Sequence, residues 1–81
     1  MYFVYILYSE FGDVYYKGFT ENINIRLQYH LEGKSTYTSK YKDWVLVFSK
    51  SFPTKKEALI EEKRIKKLNR KALLKLINEE V

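Results

Sequence analysis

Five side chains in this sequence have the types and spacings that phosphodiester chemistry asks for. Arg26 and His30 are four residues apart, so on a helix they sit one turn above each other, bordering the positions of Ile23 and Leu27 instead of opposing them. A cation and an imidazole are thereby aimed at the edge of a core. Glu62 follows Ala58 and Leu59 by four and three residues and precedes Ile65 by three, which sets a carboxylate on an apolar helical stripe. There it needs a partner or a metal. Tyr5 and Tyr16 fall in two neighbouring apolar runs, and their hydroxyls require hydrogen-bond partners wherever they are buried.

Each feature has an ordinary structural explanation. An imidazole near a helix C-terminus is favoured by the helix dipole. Glu62 and Lys66 form an i, i+4 pair of a kind worth about 0.2–0.5 kcal/mol on a helix surface, and tyrosines are common in strands. One chemistry uses all of them at once. Cleaving a phosphodiester requires positive charge on the non-bridging oxygens, a divalent metal held by carboxylate, and a base to activate water. Arg26 fits the first role and Glu62 the second, with Mg or Mn suited to a lone carboxylate completed by water. A tyrosine serves as the base only if nearby cations or a metal lower its pKa from about 10, and Arg26, Lys17 and His30 could supply that field.

The elements that must position these residues are legible in the pattern. Residues 2–8 and 14–19 are rich in Tyr, Val, Ile and Phe, and the intervening SEFGD carries Gly12 and Asp13 as turn residues, so an antiparallel hairpin is predicted. Alternation puts Phe3, Tyr5 and Leu7 on one face and Val4, Ile6 and Tyr8 on the other, so the first strand is covered on both sides. A helix is predicted from about Asn22 to Glu32, capped by Thr20 or Asn22 and stopped by Gly33. Residues 33–43 read as a hydroxylic, basic loop and WVLVFSKSF as a third strand. Thr54 and Glu57 form a capping box that opens a second helix directly after Pro53, with Ala58, Leu59, Ile65 and Leu68 facing inwards. A break near LNRK precedes a last helix carrying Leu73, Leu76 and Ile77. The predicted class is α+β: a small three-stranded antiparallel sheet flanked by helices, in the order β-β-α-β-α-α.

Eighty-one residues predict one domain, residues 1–81, with a single core. The absence of cysteine excludes a disulfide frame and a thiolate zinc site and suggests a cytoplasmic setting. The first apolar run, MYFVYILY, is too short to cross a bilayer, so no membrane partner is expected. Residues 1–40 carry four basic and four acidic side chains, so the whole net charge of +5 lies in residues 41–81. Within that half, residues 63–75 hold seven Lys or Arg and no acid, a charge pattern suited to a polyanionic partner.

At this point the residues match a known pattern: the chain resembles the GIY-YIG nucleases. Phe3, Val4 and Tyr5 stand where that family has its first motif, and Tyr16, Lys17 and Gly18 where it has its second, with the two tyrosines eleven positions apart. Arg26 follows Tyr16 by ten residues and His30 comes four further on, as do the family's catalytic Arg and frequent His. TKKEALIEEKRIKK resembles the metal-binding helix, and that alignment makes Glu62 the ligand, not Glu57 or Glu61. The match runs from about residue 2 to residue 77, and its nearest branch is the small standalone bacterial group. Two positions depart from the pattern, Phe3 at the first Gly and Lys17 at the hydrophobic middle of the second motif.

The resemblance implies a metal-dependent endonuclease acting on DNA, in repair or in processing of structured DNA. In it Tyr5 is the general base, directly or through water, Tyr16 holds water or phosphate, and Arg26 binds the phosphate. His30 tunes or deprotonates a tyrosine, Glu62 holds Mg or Mn, and Gly18 allows close approach of a backbone at the strand end. Lys17, Lys34, Thr36, Thr38, Lys40, Lys66, Lys67 and Arg70 are the expected contacts to the nucleic-acid backbone, and such contacts do not read sequence. Family members of defined cutting specificity usually carry a further DNA-binding or partner-binding domain, so a partner protein is a further expectation, while the oligomeric state stays open. The competing reading is a nucleic-acid-binding module with little or no cleavage of its own.

Overall fold

A computed structural model describes residues 1–79 of the chain. Its strands are β1 (Tyr2–Ser9), β2 (Val14–Thr20) and β3 (Val45–Phe52), and its helices are α1 (Ile23–Leu31), α2 (Lys55–Lys66) and α3 (Arg70–Glu79). The sheet is antiparallel in the order β2-β1-β3, so the first strand is central and the second has a free edge.

The hairpin turns at Glu10–Asp13, where Asp13 takes the left-handed conformation with φ 52°. Asp and Asn tolerate that region because a short polar side chain can bond locally; the Asp13 carboxylate accepts from the Tyr8 hydroxyl and pairs with Arg70 at the start of α3. Asp43 ties the same turn to the start of β3 by accepting from Ser9 Oγ at 2.7 Å and from the Phe11 N–H at 2.9 Å.

Both faces of β1 are buried, as its alternation predicts. Val4 and Ile6 pack with Phe48, with Ala58 and Ile65 of α2, and with Leu73 and Ile77 of α3. Tyr5 and Leu7 pack on the opposite face with Trp44 and with Ile23, Leu27 and Leu31 of α1. Burying one side chain such as Ile65 or Leu7 is worth about 1.5–3 kcal/mol, so the two small clusters carry the fold between them. A bulge in β3 serves this arrangement. Ile6 faces Phe48 but Leu7 faces Leu46, and the extra residue, Val47, turns the strand so that Phe48 and Leu46 enter opposite clusters.

Helix boundaries follow their caps. Asn22, not Thr20, caps α1 by accepting from the Ile25 N–H at 3.0 Å, and Gly33 follows its end with φ 73°. Thr54 accepts from the Glu57 N–H at 3.2 Å at the start of α2, and Asn69 accepts from the Ala72 N–H at 2.9 Å at the start of α3. The expected inward position of Leu59 is corrected: it is 41% exposed, because the sheet side of α2 is filled by Ala58 and Ile65. The loop before β3 also contains a short 3₁₀ turn, Thr38–Lys40.

Candidate active site

Tyr5 points from the central strand into the α1 side of the sheet, where it is almost fully buried. Its register partner on β2 is Gly18, and a Cβ added there would lie 2.5 Å from the Tyr5 hydroxyl. The glycine therefore leaves room for a phenol on the neighbouring strand. Tyr16 is two residues along, opposite Leu7, with its ring 6.3 Å from that of Tyr5.

His30, at the end of α1, is fully buried and bonded at both nitrogens. Nε2 lies 2.9 Å from the Tyr5 hydroxyl and Nδ1 lies 2.8 Å from Thr38 Oγ1. Thr38 is itself fully buried, and its carbonyl accepts from the Trp44 indole at 2.9 Å. A buried chain thus runs from the Tyr5 phenol through the imidazole to a threonine anchored by a core tryptophan. Burial, reinforced by the nearby charge of Arg26, lowers the His30 pKa below its ordinary value, so the ring is neutral at pH 7 and one of its neighbours donates while the other accepts.

Arg26 lies one turn before His30, with its guanidinium carbon 4.5 Å from the centre of the Tyr29 ring. Its Nε is buried without a hydrogen-bond partner. An unmet buried donor costs about 1–3 kcal/mol, a cost that an anionic acceptor would offset.

The cations beside Tyr5 do not by themselves lower its pKa. Burial pushes the phenol up to about 12, and the opposing pull of Arg26 does not outweigh it; the phenol of Tyr16 and the charge of Glu62 push further upwards. Removing water from a phenolate costs more here than one neighbouring guanidinium returns. At pH 7 Tyr5 is therefore held as the neutral phenol.

Glu62 comes from α2, close enough to Tyr5 for its charge to be felt there. Its side chain is 17% exposed and pairs with Lys66 at 3.5 Å, looser than the 2.7 Å pair of Glu61 with Arg64. Among the described residues no three His, Asp or Glu side chains converge on a common point. A divalent cation here would have Glu62 as its protein ligand and take its other oxygens from water and phosphate, coordination that suits Mg²⁺. The residues fit such an ion.

A shallow cleft of about 220 Å³ is lined by three consecutive β2 residues, Tyr15, Tyr16 and Lys17, together with Tyr37 and Lys66. Tyr16, His30, Arg26 and the charge of Glu62 thus gather around Tyr5, while Lys17 and Lys66 share the neighbouring cleft with Tyr16. The other expected backbone contacts lie on the surface: Lys34 pairs with Glu32 at 3.1 Å, Arg70 pairs with Asp13, and Thr36, Lys40 and Lys67 are exposed. Thr38 is corrected, since its burial against His30 removes it from any backbone contact. Its hydroxyl is indistinguishable in the sequence from those of Ser35, Thr36 and Ser39, and only the packing of the loop singles it out.

With this geometry in view, comparison with known proteins decides the family. The family model described as the GIY-YIG catalytic domain matches residues 1–78. The chain belongs to the GIY-YIG family. This GIY-YIG chain is 36% identical over 78 residues to the UPF0213 protein SH2523 of Staphylococcus haemolyticus, covering 95% of this chain and 94% of that protein. It is 42% identical over 76 residues to the UPF0213 protein OB0043 of Oceanobacillus iheyensis, covering 93% and 87%. The solution NMR structure of the UPF0213 protein BH0048 from Bacillus halodurans superimposes with a TM-score of 0.63 at 32% identity, covering 96% of this chain and 84% of that one. The α+β fold and element order expected of a GIY-YIG protein are thus those observed. GIY-YIG domains are usually nucleases that generally use a divalent metal.

Proposed function

We propose that this chain is a divalent-metal-dependent endonuclease that hydrolyses phosphodiester bonds in DNA, with Tyr5, Tyr16, Arg26, His30 and Glu62 as its working residues. The observation that carries this reading is the 2.9 Å bond between the Tyr5 hydroxyl and His30 Nε2, beside Arg26 and within the influence of Glu62. A phenol pushed up to about 12 is a poor standing base but a good relay. As water attacks phosphorus, its proton passes to the Tyr5 oxygen while the phenolic proton passes to His30 Nε2. The new P–O bond forms as the bond from phosphorus to the leaving oxygen breaks, the leaving oxygen keeping the electron pair and taking a proton from solvent water, and no free phenolate is required. In that step Nδ1–H donates to Thr38, which keeps Nε2 open as the acceptor. Arg26 binds the non-bridging oxygens and Tyr16 orients water or phosphate. Glu62 would hold Mg²⁺ or Mn²⁺, which supplies charge to the developing phosphoryl oxygens.

Lys17, Lys34, Thr36, Lys40, Lys66, Lys67 and Arg70 are proposed to hold the nucleic-acid backbone. Residues 1–81 act as one nuclease domain, of which Glu80 and Val81 lie outside the described residues. A cysteine-free chain suits the reducing cytoplasm, and repair or processing of structured DNA is the role implied by family resemblance.

The test is cleavage of labelled single-stranded, duplex and branched DNA with and without Mn²⁺, comparing wild type with Glu62→Ala and Arg26→Ala. Cutting that needs metal and is lost in both variants is the expected result. Wild type that binds DNA but cuts no substrate above the variants would leave a binding module, the reading favoured by the Glu62–Lys66 ion pair.

A further inference from the structure

Tyr37 is a neighbouring aromatic side chain to which the five proposed catalytic residues give no task. Tyr37 precedes the short turn that carries Thr38 and is 61% exposed, although its ring lies only 5.7 Å from that of Tyr16. A single exposed tyrosine is unremarkable on any protein surface. Its surroundings set this one apart. Tyr37 forms part of the wall of two adjoining clefts, of about 220 and 260 Å³, and Lys17 lines both. Lys66 stands in the first cleft and Arg70 in the second. Lys66 is paired with Glu62 and Arg70 with Asp13, whereas Lys17 has no ion-pair partner among the described residues.

We infer that Tyr37 forms a stacking subsite for a nucleobase, one that holds an unpaired nucleotide of the substrate beside the proposed cleavage site. The proposal rests on the nuclease reading above and narrows its substrate. Tyrosine offers a base a flat, sequence-tolerant face, and neighbouring lysines bind the phosphates on either side of a stacked base; together they make the usual platform for single-stranded nucleic acid. Bases within a duplex show only their edges in the grooves, so a base that reaches Tyr37 must be unpaired or turned out of its helix. Through Tyr16 and His30, whose rings are 4.8 Å apart, the subsite is one side chain removed from the Tyr5 relay. A base seated there would position its own phosphate towards that relay.

The test measures binding in EDTA, where cleavage is suppressed, by fluorescence anisotropy. The probes are labelled oligothymidylate and an abasic deoxyribose-phosphate strand of equal length. Wild type should prefer the base-bearing strand. Tyr37→Ala should weaken binding of oligothymidylate by ~5- to 100-fold and leave the abasic strand unchanged, while Tyr37→Phe should behave as wild type. Equal binding by wild type and Tyr37→Ala, equal losses on both strands, or no binding of either strand by wild type would each overturn the inference. Cleavage in Mn²⁺ separates the two readings. If wild type and Tyr37→Ala cut and bind alike, the subsite is refuted and the nuclease stands; if wild type cuts nothing, the nuclease reading falls.

Discussion

At the scale of single residues, the site is governed by burial more than by charge. Arg26 pulls the Tyr5 phenol towards ionisation, yet the phenol ends near 12 because water is excluded from it. The same burial drives His30 the other way, so a neutral imidazole faces a protonated phenol. His30 is the chain's sole histidine, so its titration can be followed alone by NMR. Its midpoint should lie below the ordinary value of about 6.5. Because the folded value is depressed, the associated stability is fully present above the unfolded value and is lost as pH falls through the folded one. Cleavage should decline over the same acid range, since a protonated ring cannot take the proton of Tyr5. Thr38→Val should move this profile, whereas Thr38→Ser should restore it. Losing the bond to Nδ1 should cost about tenfold in kcat, equivalent to ~1.4 kcal/mol. An unaltered profile in Thr38→Val would assign the threonine to packing alone.

At the scale of elements, the hairpin register and the bulge decide what the proposed active-site residues can touch. Tyr5 faces Gly18 across the β1–β2 pair, and the missing side chain is what admits its hydroxyl. Gly18→Ala is expected to leave the fold in place, because β2 is an edge strand, but to push the phenol away from His30. Cleavage should fall by at least tenfold while the far-UV circular dichroism spectrum is unchanged. Full activity in that variant would show either that the phenol keeps its place beside the added methyl or that the Tyr5–His30 bond is dispensable. The hairpin, the caps at Thr54 and Asn69, and the stop at Gly33 are all local, and their residue types announce them. The bulge at Val47 is not announced. WVLVFSKSF reads as one apolar run, and only the demand of two clusters on opposite faces makes Leu46 and Phe48 diverge. Leu59 escapes in the same way: its spacing suits an inward stripe, but the sheet is too narrow for α2 to bury more than Ala58, Ile65 and their immediate neighbours.

At the scale of the whole molecule, charge and topology act together. The excess of +5 lies entirely in the half of the chain that folds into β3, α2 and α3. DNA binding should weaken as salt rises, with a linear slope of log K against log salt; Lys17→Ala should reduce that slope by about one, and Lys34→Ala by less because Lys34 already pairs with Glu32. Equal slopes for wild type and Lys17→Ala would remove Lys17 from the phosphate contacts. Among the described residues no helix is long and apolar enough to cross a membrane. The sequence by itself determined the α+β order, the capping box at Thr54 and the two-sided burial of β1, and it singled out Tyr5, Tyr16, Arg26, His30 and Glu62 as candidates, because periodicity, capping and residue spacing are short-range properties of the chain. Only the tertiary structure decided that Thr38 is buried against His30, that Tyr37 stands exposed between two clefts, and that Tyr5 is a raised phenol instead of a lowered one. Those outcomes depend on which surfaces lose water when distant segments meet, and no local pattern of residues encodes that loss.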